Sequence, residues 1–361
     1  MRICVIMAGG IGERFWPSSR KLRPKQLLKI VSDKCFLEEG IKRILPCIPL
    51  ERIFIVTNKG MKKALLKEIP SFPVENIICE PMGRNTAACL ALAEVVTSAR
   101  LADPTMAVLT SDHVIHDTQA FLRNVEAACQ YAEETEGLIT IGIPPARAET
   151  GFGYIEAGEM VRDQPGSRIF RVARFQEKPD RETAQTYLKA GRFYWNSGMF
   201  FWKNSALRSN LERFLPNTME GINRYRNALG TSEEERILEE AFVHAETISI
   251  DYAIMEKADK VFMVKADFDW DDMGTWNALE RYFPRDGEGN LLIGQGVMVN
   301  SGNTLVYNPE SPEAPWVAAF GLKDTLIVVD QDVILVCPKS EAPNLKSLVK
   351  ELRKRKLGKY L

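Results

Sequence analysis

An α/β fold built on a mostly parallel sheet, Rossmann-like in its strand–helix alternation, is predicted by three features of the 361-residue chain. Short apolar runs alternate with helical patterns through the first part of the sequence. The first of these runs, Ile3 to Ala8, empties into a glycine-rich turn. Past residue 285 the helical patterns give way to short β-rich runs, consistent with a small β-helix-like domain, although no clean hexapeptide repeat is visible.

The elements follow in order. After the glycine turn, residues 36–45 read as a short amphipathic helix, 52–57 as a buried strand and 59–68 as a helix ending before Pro70. Residues 76–80 form a third strand, 87–101 a small-residue helix, 105–109 a fourth strand and 137–144 a fifth, closed by prolines. Residues 207–241 are polar and helix-rich, read as a cover over the active-site side, and 261–264 return to strand. Turn residues cluster at 284–289, so the predicted domains are 1–285 and 286–361, the second ending in an amphipathic basic helix over 345–361 whose charges read as a solvated face.

Composition narrows the class. Hydrophobic content of 45%, charged content of 26% and a net charge of −1 are ordinary for a globular enzyme, and basic residues interspersed with acids, apart from the tail, do not suggest a nucleic-acid surface. No apolar run approaches membrane-spanning length, and the N-terminus lacks a secretory pattern. Seven cysteines, none in a CxxC pair, suit reduced thiols, so a cytoplasmic location is expected. His113 and His116 stand three apart but have no evident third ligand, which favours a structural role for both.

Ligands of such sheets bind beyond the carboxyl ends of the strands, which singles out three loops. In the first, Ala8-Gly9-Gly10-Ile11-Gly12, successive backbone amides can converge on phosphate, with Arg14 as a forked donor and Lys25, beyond Pro24, as a point charge. Phe15 stands where a dinucleotide fingerprint needs its third glycine, and no Gly-Lys-Ser/Thr triplet makes a P-loop. A plain strand-to-helix turn stays open. In the second loop, Glu80 to Thr86, Asn85 or Thr86 could cap a helix, or Glu80 could accept hydrogen bonds from the adjacent N1–H and N2–H₂ donors of guanine. The third loop holds Ser111 and Asp112, the latter a helix cap or a metal ligand.

Further on, Gly151 and Gly153 permit close backbone approach or a bulged strand. Glu177 and Lys178, before Pro179, sit on an extended segment and alternate faces. Asn196 is an amide among aromatics and needs partners, a sugar hydroxyl being one candidate. Asp251, with Ser249, could cap a helix. Asp267, Asp269, Asp271 and Asp272 place four carboxylates in six residues, which repel unless solvated or neutralised by a cation.

The stretch Gly9-Gly10-Ile11-Gly12-Glu13-Arg14-Phe15-Trp16-Pro17-Ser18-Ser19-Arg20, with Pro24-Lys25-Gln26, closely resembles the signature of sugar-1-phosphate nucleotidylyltransferases, and most of all mannose-1-phosphate guanylyltransferases. Glu80-Pro81 with Arg84-Asn85-Thr86-Ala87, Asp112-His113, Glu177-Lys178-Pro179 and Trp195-Asn196-Ser197-Gly198-Met199-Phe200 extend the resemblance over essentially the whole chain. It implies transfer of GMP from GTP to mannose 1-phosphate, with Arg14 and Lys25 catalytic. Ala8, Gly9, Gly10, Gly12, Glu80, Arg84, Asn85, Thr86 and Ser111 would hold the nucleotide, and Gly153, Glu177, Lys178, Asn196 and Asp251 the sugar phosphate. Asp112 and Asp272 would hold Mg²⁺, with Asp267 the lesser alternative. Three positions depart from the family: Cys89, where a proline is usual nearby, and Asp269 and Asp271, in place of Gly and Ser. The resemblance also implies that the isomerase activity of longer, bifunctional relatives is absent. GTP and mannose 1-phosphate are the expected partners together with a second copy in a homodimer, and neither nucleic acid nor membrane is expected. The rival readings are a different sugar 1-phosphate, such as glucose or heptose, a different nucleotide, or a non-catalytic sugar-nucleotide sensor.

Overall fold

The computed structural model describes residues 1–164, 166–309, 314–330 and 332–361. The chain divides into two compact units, the first made of 1–9, 40–111 and 115–270, the second of 10–39, 112–114 and 271–361.

In the first unit the strands are β1 (Arg2–Met7), β2 (Ile53–Asn58), β3 (Ile77–Glu80), β4 (Thr105–Thr110), β5 (Leu138–Ile143), β6 (Tyr154–Arg162), β7 (Ile169–Gln176), β8 (Phe193–Lys203) and β9 (Val261–Lys265). They form one sheet in the order β3-β2-β1-β4-β8-β5-β9-β7-β6. All but β7 and β8 run in one direction, so the mostly parallel sheet expected from sequence is present. The chain enters helix α1 (Phe36–Ile44) before β2, and α2 (Lys59–Glu68) follows β2 with Asn58 capping it through Met61 N–H. Helices α3 (Asn85–Arg100), α4 (Thr118–Thr135) and α5 (Arg181–Ala190) link later strands. β1, β2 and β4 are apolar along nearly their whole length because both faces are covered, the expected pattern for parallel strands.

Helices α6 (Asn204–Phe214), α7 (Pro216–Ala228) and α8 (Glu234–His244) are the predicted helix-rich segment. Leu207, Leu211, Met219 and Phe242 from them join Leu90 and Ala91 of α3 in one apolar cluster. Glu94, fully buried in α3, is neutralised by Arg208 and by Arg226, the latter at 2.8 Å. Burying that carboxylate without both guanidinium groups would be strongly unfavourable.

In the second unit, β10 (Leu291–Gly294), β11 (Gly296–Val299), β12 (Leu305–Asn308), β13 (Val317–Phe320), β14 (Thr325–Asp330) and β15 (Val333–Pro338) precede helix α9 (Leu345–Lys354). β10, β12 and β14 pair in parallel, β15 closes that sheet antiparallel, and β11 pairs in parallel with β13. Short parallel strands stacked in successive layers make the β-helix-like arrangement expected. The helix expected over 345–361 ends at Lys354, and a single tight turn over 358–360 follows.

The same unit takes in the glycine-loop segment. Phe15 and Trp16 are buried with Met273, Trp276, Leu305, Tyr307 and Val349. The Trp276 indole N–H donates to Trp16 O at 3.1 Å, and that of Trp16 to Tyr360 O at 2.8 Å. The two indoles thus satisfy their single polar groups while contributing their apolar area to a core.

Candidate active site

In the first unit, candidate residues gather at the carboxyl edge of the sheet. β1 ends at Met7, and Ala8 is fixed by its own N–H on Val56 O and by Thr57 Oγ1 donating to its carbonyl, both within 2.9 Å. Gly9 then passes beside Glu80: a Cβ there would be in van der Waals contact with Glu80 Oε2, at 3.6 Å. Glu80, ending β3, is only 7% exposed, and burial pushes its carboxyl pKa up to about 7. Ser111, just beyond β4, is likewise buried.

Arg84, Asn85 and Thr86, expected at the nucleotide, are all engaged by protein groups. The Arg84 guanidinium donates to the carbonyls of Phe242 at 2.7 Å and Val243 at 2.9 Å, fastening the loop to the end of α8. Asn85 takes a left-handed backbone (φ 66°) and accepts from Thr86 N–H, while Thr86 Oγ1 accepts from Ile250 N–H. Neither caps α3 from the N-cap position, which Arg84 occupies without a side-chain bond. Thr86 instead supports the segment carrying Asp251.

The five sugar-phosphate candidates form one cluster. Asn196, near the start of β8, pairs with Gly142 at the end of β5 because β8 runs against its neighbours. Its N–H donates to Gly153 O at 2.8 Å, and its side-chain amide donates to Asp251 Oδ1 at 2.6 Å. A Cβ on Gly153 would fall 2.2 Å from Glu177 Oε2, so a larger residue there would push the Glu177 carboxylate out of its present position. Lys178 pairs with Glu177 at 3.0 Å and extends into solvent. Burial raises Asp251 to about 6, helped by repulsion from Glu177 and opposed by the Asn196 hydrogen bond and by Lys178. The Asn196 amide has protein partners and needs no sugar hydroxyl to satisfy it.

In the second unit a cavity of about 460 Å³ is lined by Gly10, Gly12, Arg14, Lys25, Asp112 and Asp272, among others. Lys25 is only 6% exposed. Its ammonium meets Asp112 Oδ2 at 2.8 Å and Asp272 O at 2.9 Å, over the rings of Phe15 and Phe36. The Arg14 Nε–H is buried in the cavity wall with no hydrogen-bond partner among the described residues. Burial works against the ionised Asp112, but Lys25 and His113 outweigh it, and its pKa lies below the usual carboxylate range. Asp272 goes the other way, to about 6, because burial and the charges of Asp271 and Asp112 exceed the help of Lys25 and Arg281.

The neighbouring acids have other work. Asp271 accepts from Arg281 at 2.7 Å and from Met273 N–H, and Asp269 from the backbone of His116 and Asp117. Asp267 faces Arg123 and Asn124. His116 also meets Asp269 through Nδ1. The extra negative charge is therefore neutralised locally, and among the described residues no three His, Cys, Asp or Glu side chains form a metal cage.

Residues 3–288 match the nucleotidyl transferase family, and residues 294–352 match the mannose-phosphate isomerase/GMP-like β-helix domain. Mannose-1-phosphate guanylyltransferases of Escherichia coli and Klebsiella pneumoniae are 38% and 37% identical to the chain, over its full length and 76% of theirs. A crystal structure from Thermus thermophilus, described as a mannose-1-phosphate geranyltransferase, superposes with a TM-score of 0.85 at 32% identity, covering 98% of this chain and 99% of that one. The chain belongs to the mannose-1-phosphate guanylyltransferase family.

Within this family member, two features of the cavity were not singled out from sequence. Phe15 and Phe36 form the aromatic floor under Lys25, and Lys346 of α9 also lines the cavity. No helix of the described residues is long and apolar enough to cross a membrane. One prediction for the guanylyltransferase-family site concerns stability. Glu80 is raised from 4.5 to about 7 on folding, so between those values the folded chain holds the extra proton and stability falls as pH rises. Glu80→Gln should therefore be more stable than wild type by about 1–3 kcal/mol at about pH 8, with the gain lost at about pH 5. Thermal unfolding at both pH values checks this, and a gap independent of pH contradicts it.

Proposed function

We propose that the protein transfers GMP from GTP to mannose 1-phosphate, releasing pyrophosphate. The observation that carries this is the cavity itself: glycine-loop amides, an unpaired Arg14 donor and the Lys25–Asp112 pair around space for a polyanion. A phosphate oxygen of mannose 1-phosphate, already ionised near neutral pH because its second pKa is about 6, attacks the α-phosphorus. The new O–P bond forms as the bond to the β-phosphate oxygen breaks, and the electron pair leaves on pyrophosphate. No general base is needed, so alignment and charge stabilisation carry the rate. Arg14, Lys25 and the Gly10–Gly12 amides hold the phosphates, Glu80 accepts the guanine N–H donors, and Ser111 borders the nucleotide. Gly153, Asn196, Asp251 and Glu177 shape the sugar site, and Lys178 meets the acceptor's phosphate. Arg84, Asn85 and Thr86 act by shaping the loop.

Nucleotidyltransferases of this family generally use a divalent metal. Asp112 and Asp272 suit one: both are hard oxygen donors on the cavity, Lys25 uses only one oxygen of Asp112, and Asp272 lacks sufficient positive charge around it. We assign the metal to Mg²⁺, which would neutralise phosphate charge while retaining waters. The division at 285/286, a homodimer and a cytoplasmic location belong to the same proposal.

Phosphorus NMR of protein with GTP, mannose 1-phosphate and Mg²⁺ tests the reaction: GDP-mannose and pyrophosphate should appear together, and release of free GMP alone would contradict it. Lys178→Ala should raise KM for mannose 1-phosphate about tenfold with little change for GTP. A selective GTP defect in steady-state kinetics would overturn that role.

A further inference from the structure

We infer that Lys346 is a third phosphate-binding cation, supplied by α9 of the β-helix-like part, and that it acts on the pyrophosphate half of the nucleotide. This rests on the reading that a nucleoside triphosphate occupies the cavity. Lys346 lies in the first turn of α9 and lines the same cavity as Gly10, Gly12, Arg14 and Lys25. The helix is held there by independent contacts. Arg353, two turns on, pairs with Glu13, the residue next to Arg14. Val349 is buried in the cluster containing Phe15 and Trp16, and Trp16 donates to Tyr360 just past the helix. The segment that presents Arg14 and the helix that presents Lys346 are thus parts of one packed core.

Charge gives the cation its purpose. Asp112 and Asp272 put two carboxylates on the cavity, and Lys25 is committed to Asp112 at 2.8 Å. A triphosphate arriving there meets Arg14, which has a buried, unpartnered donor, and Lys25, whose charge is shared with Asp112, and these two cations leave part of the polyanion unmatched. A flexible ammonium on an exposed stem can follow the departing pyrophosphate, because a lysine point charge makes no demand for a fixed fork geometry. The basic character of α9 then serves the reaction at this one position, whereas Lys350, exposed on the same helix, does not line the cavity.

Calorimetric titration with magnesium pyrophosphate alone tests this without assuming the reaction. Lys346→Ala should bind it about tenfold more weakly than wild type, Lys346→Arg should recover most of the loss, and Lys350→Ala should match wild type. Equal affinity of Lys346→Ala and wild type, or an equal loss in Lys350→Ala, would overturn the inference. In steady-state assays Lys346→Ala should raise KM for GTP and, in reverse, for pyrophosphate, leaving KM for mannose 1-phosphate unchanged. A fall in kcat alone would overturn phosphate binding in favour of positioning. Absence of turnover from wild type, with the pyrophosphate affinities ordered as stated, would instead sink the guanylyl-transfer reading and leave Lys346 standing.

Discussion

Asp112→Asn should lower kcat by at least about 10³-fold, the largest single effect expected in this protein. The carboxylate pairs with Lys25 through Oδ2 and, in the proposed reaction, would also help hold Mg²⁺. An amide of the same shape offers one neutral oxygen, so it neither offsets the Lys25 charge nor holds a divalent ion. Stability should suffer too. Lys25 is 6% exposed, and leaving its ammonium without an anion costs about 3–5 kcal/mol in comparable buried pairs. The variant is therefore compared below its own unfolding transition, with circular dichroism showing native secondary structure. Near-normal turnover from folded Asp112→Asn would remove Asp112 from the mechanism and leave the Lys25 pair a purely structural contact.

Gly12→Ala should come next, and for a reason written in backbone geometry. Gly12 has φ 76°, in the left-handed region, and a Cβ there would stand 2.3 Å from Cβ of Lys25. Neither atom is the far end of a flexible chain, so the clash moves backbone. The 10–12 loop is also tied to the Lys25 segment by Lys25 N–H on Ile11 O at 3.1 Å and by the Gln26 amide on Gly10 O at 2.7 Å. Displacing one displaces both the loop amides and the ammonium. Turnover should fall about 10²–10³-fold, since ångström-scale misplacement of aligned groups costs about that much. Gly40→Ala in α1 is the internal control, because a Cβ there meets nothing within 4 Å. Equal kinetics for the two alanine variants would contradict the steric account.

The parallel strands were legible because strands covered on both faces read as unbroken apolar runs, as in Ile3–Ile6 and Ile53–Val56. Their carboxyl ends then located Gly9, Glu80 and Ser111 by topology alone. Asn196, Asp251, Gly153 and Glu177 were legible as residues of the resemblance, yet their mutual contacts join positions far apart in sequence, which no spacing rule encodes. Arg84 shows what else stays hidden in a sequence. An arginine at a ligand edge suits an anion, and no spacing rule reveals that it also donates to the carbonyls of Phe242 and Val243. Trp16 was read within a catalytic signature, whereas its ring belongs to a core with Trp276 and Val349, through contacts spanning most of the chain. Lys346 was indistinguishable from the other lysines of a basic amphipathic helix, because its role depends on where the helix lands.

The measurement that tests the central claim most directly is metal-dependent pyrophosphate release from the four nucleoside triphosphates, each offered with mannose, glucose, galactose, fucose and heptose 1-phosphates, with Mg²⁺ and with EDTA. The account predicts turnover that peaks for GTP with mannose 1-phosphate and vanishes in EDTA. A peak at another nucleotide would contradict the role given to Glu80, and a peak at another sugar that given to the Asn196–Asp251 cluster. No release in any combination, from folded protein that binds nucleotide, would contradict guanylyl transfer itself.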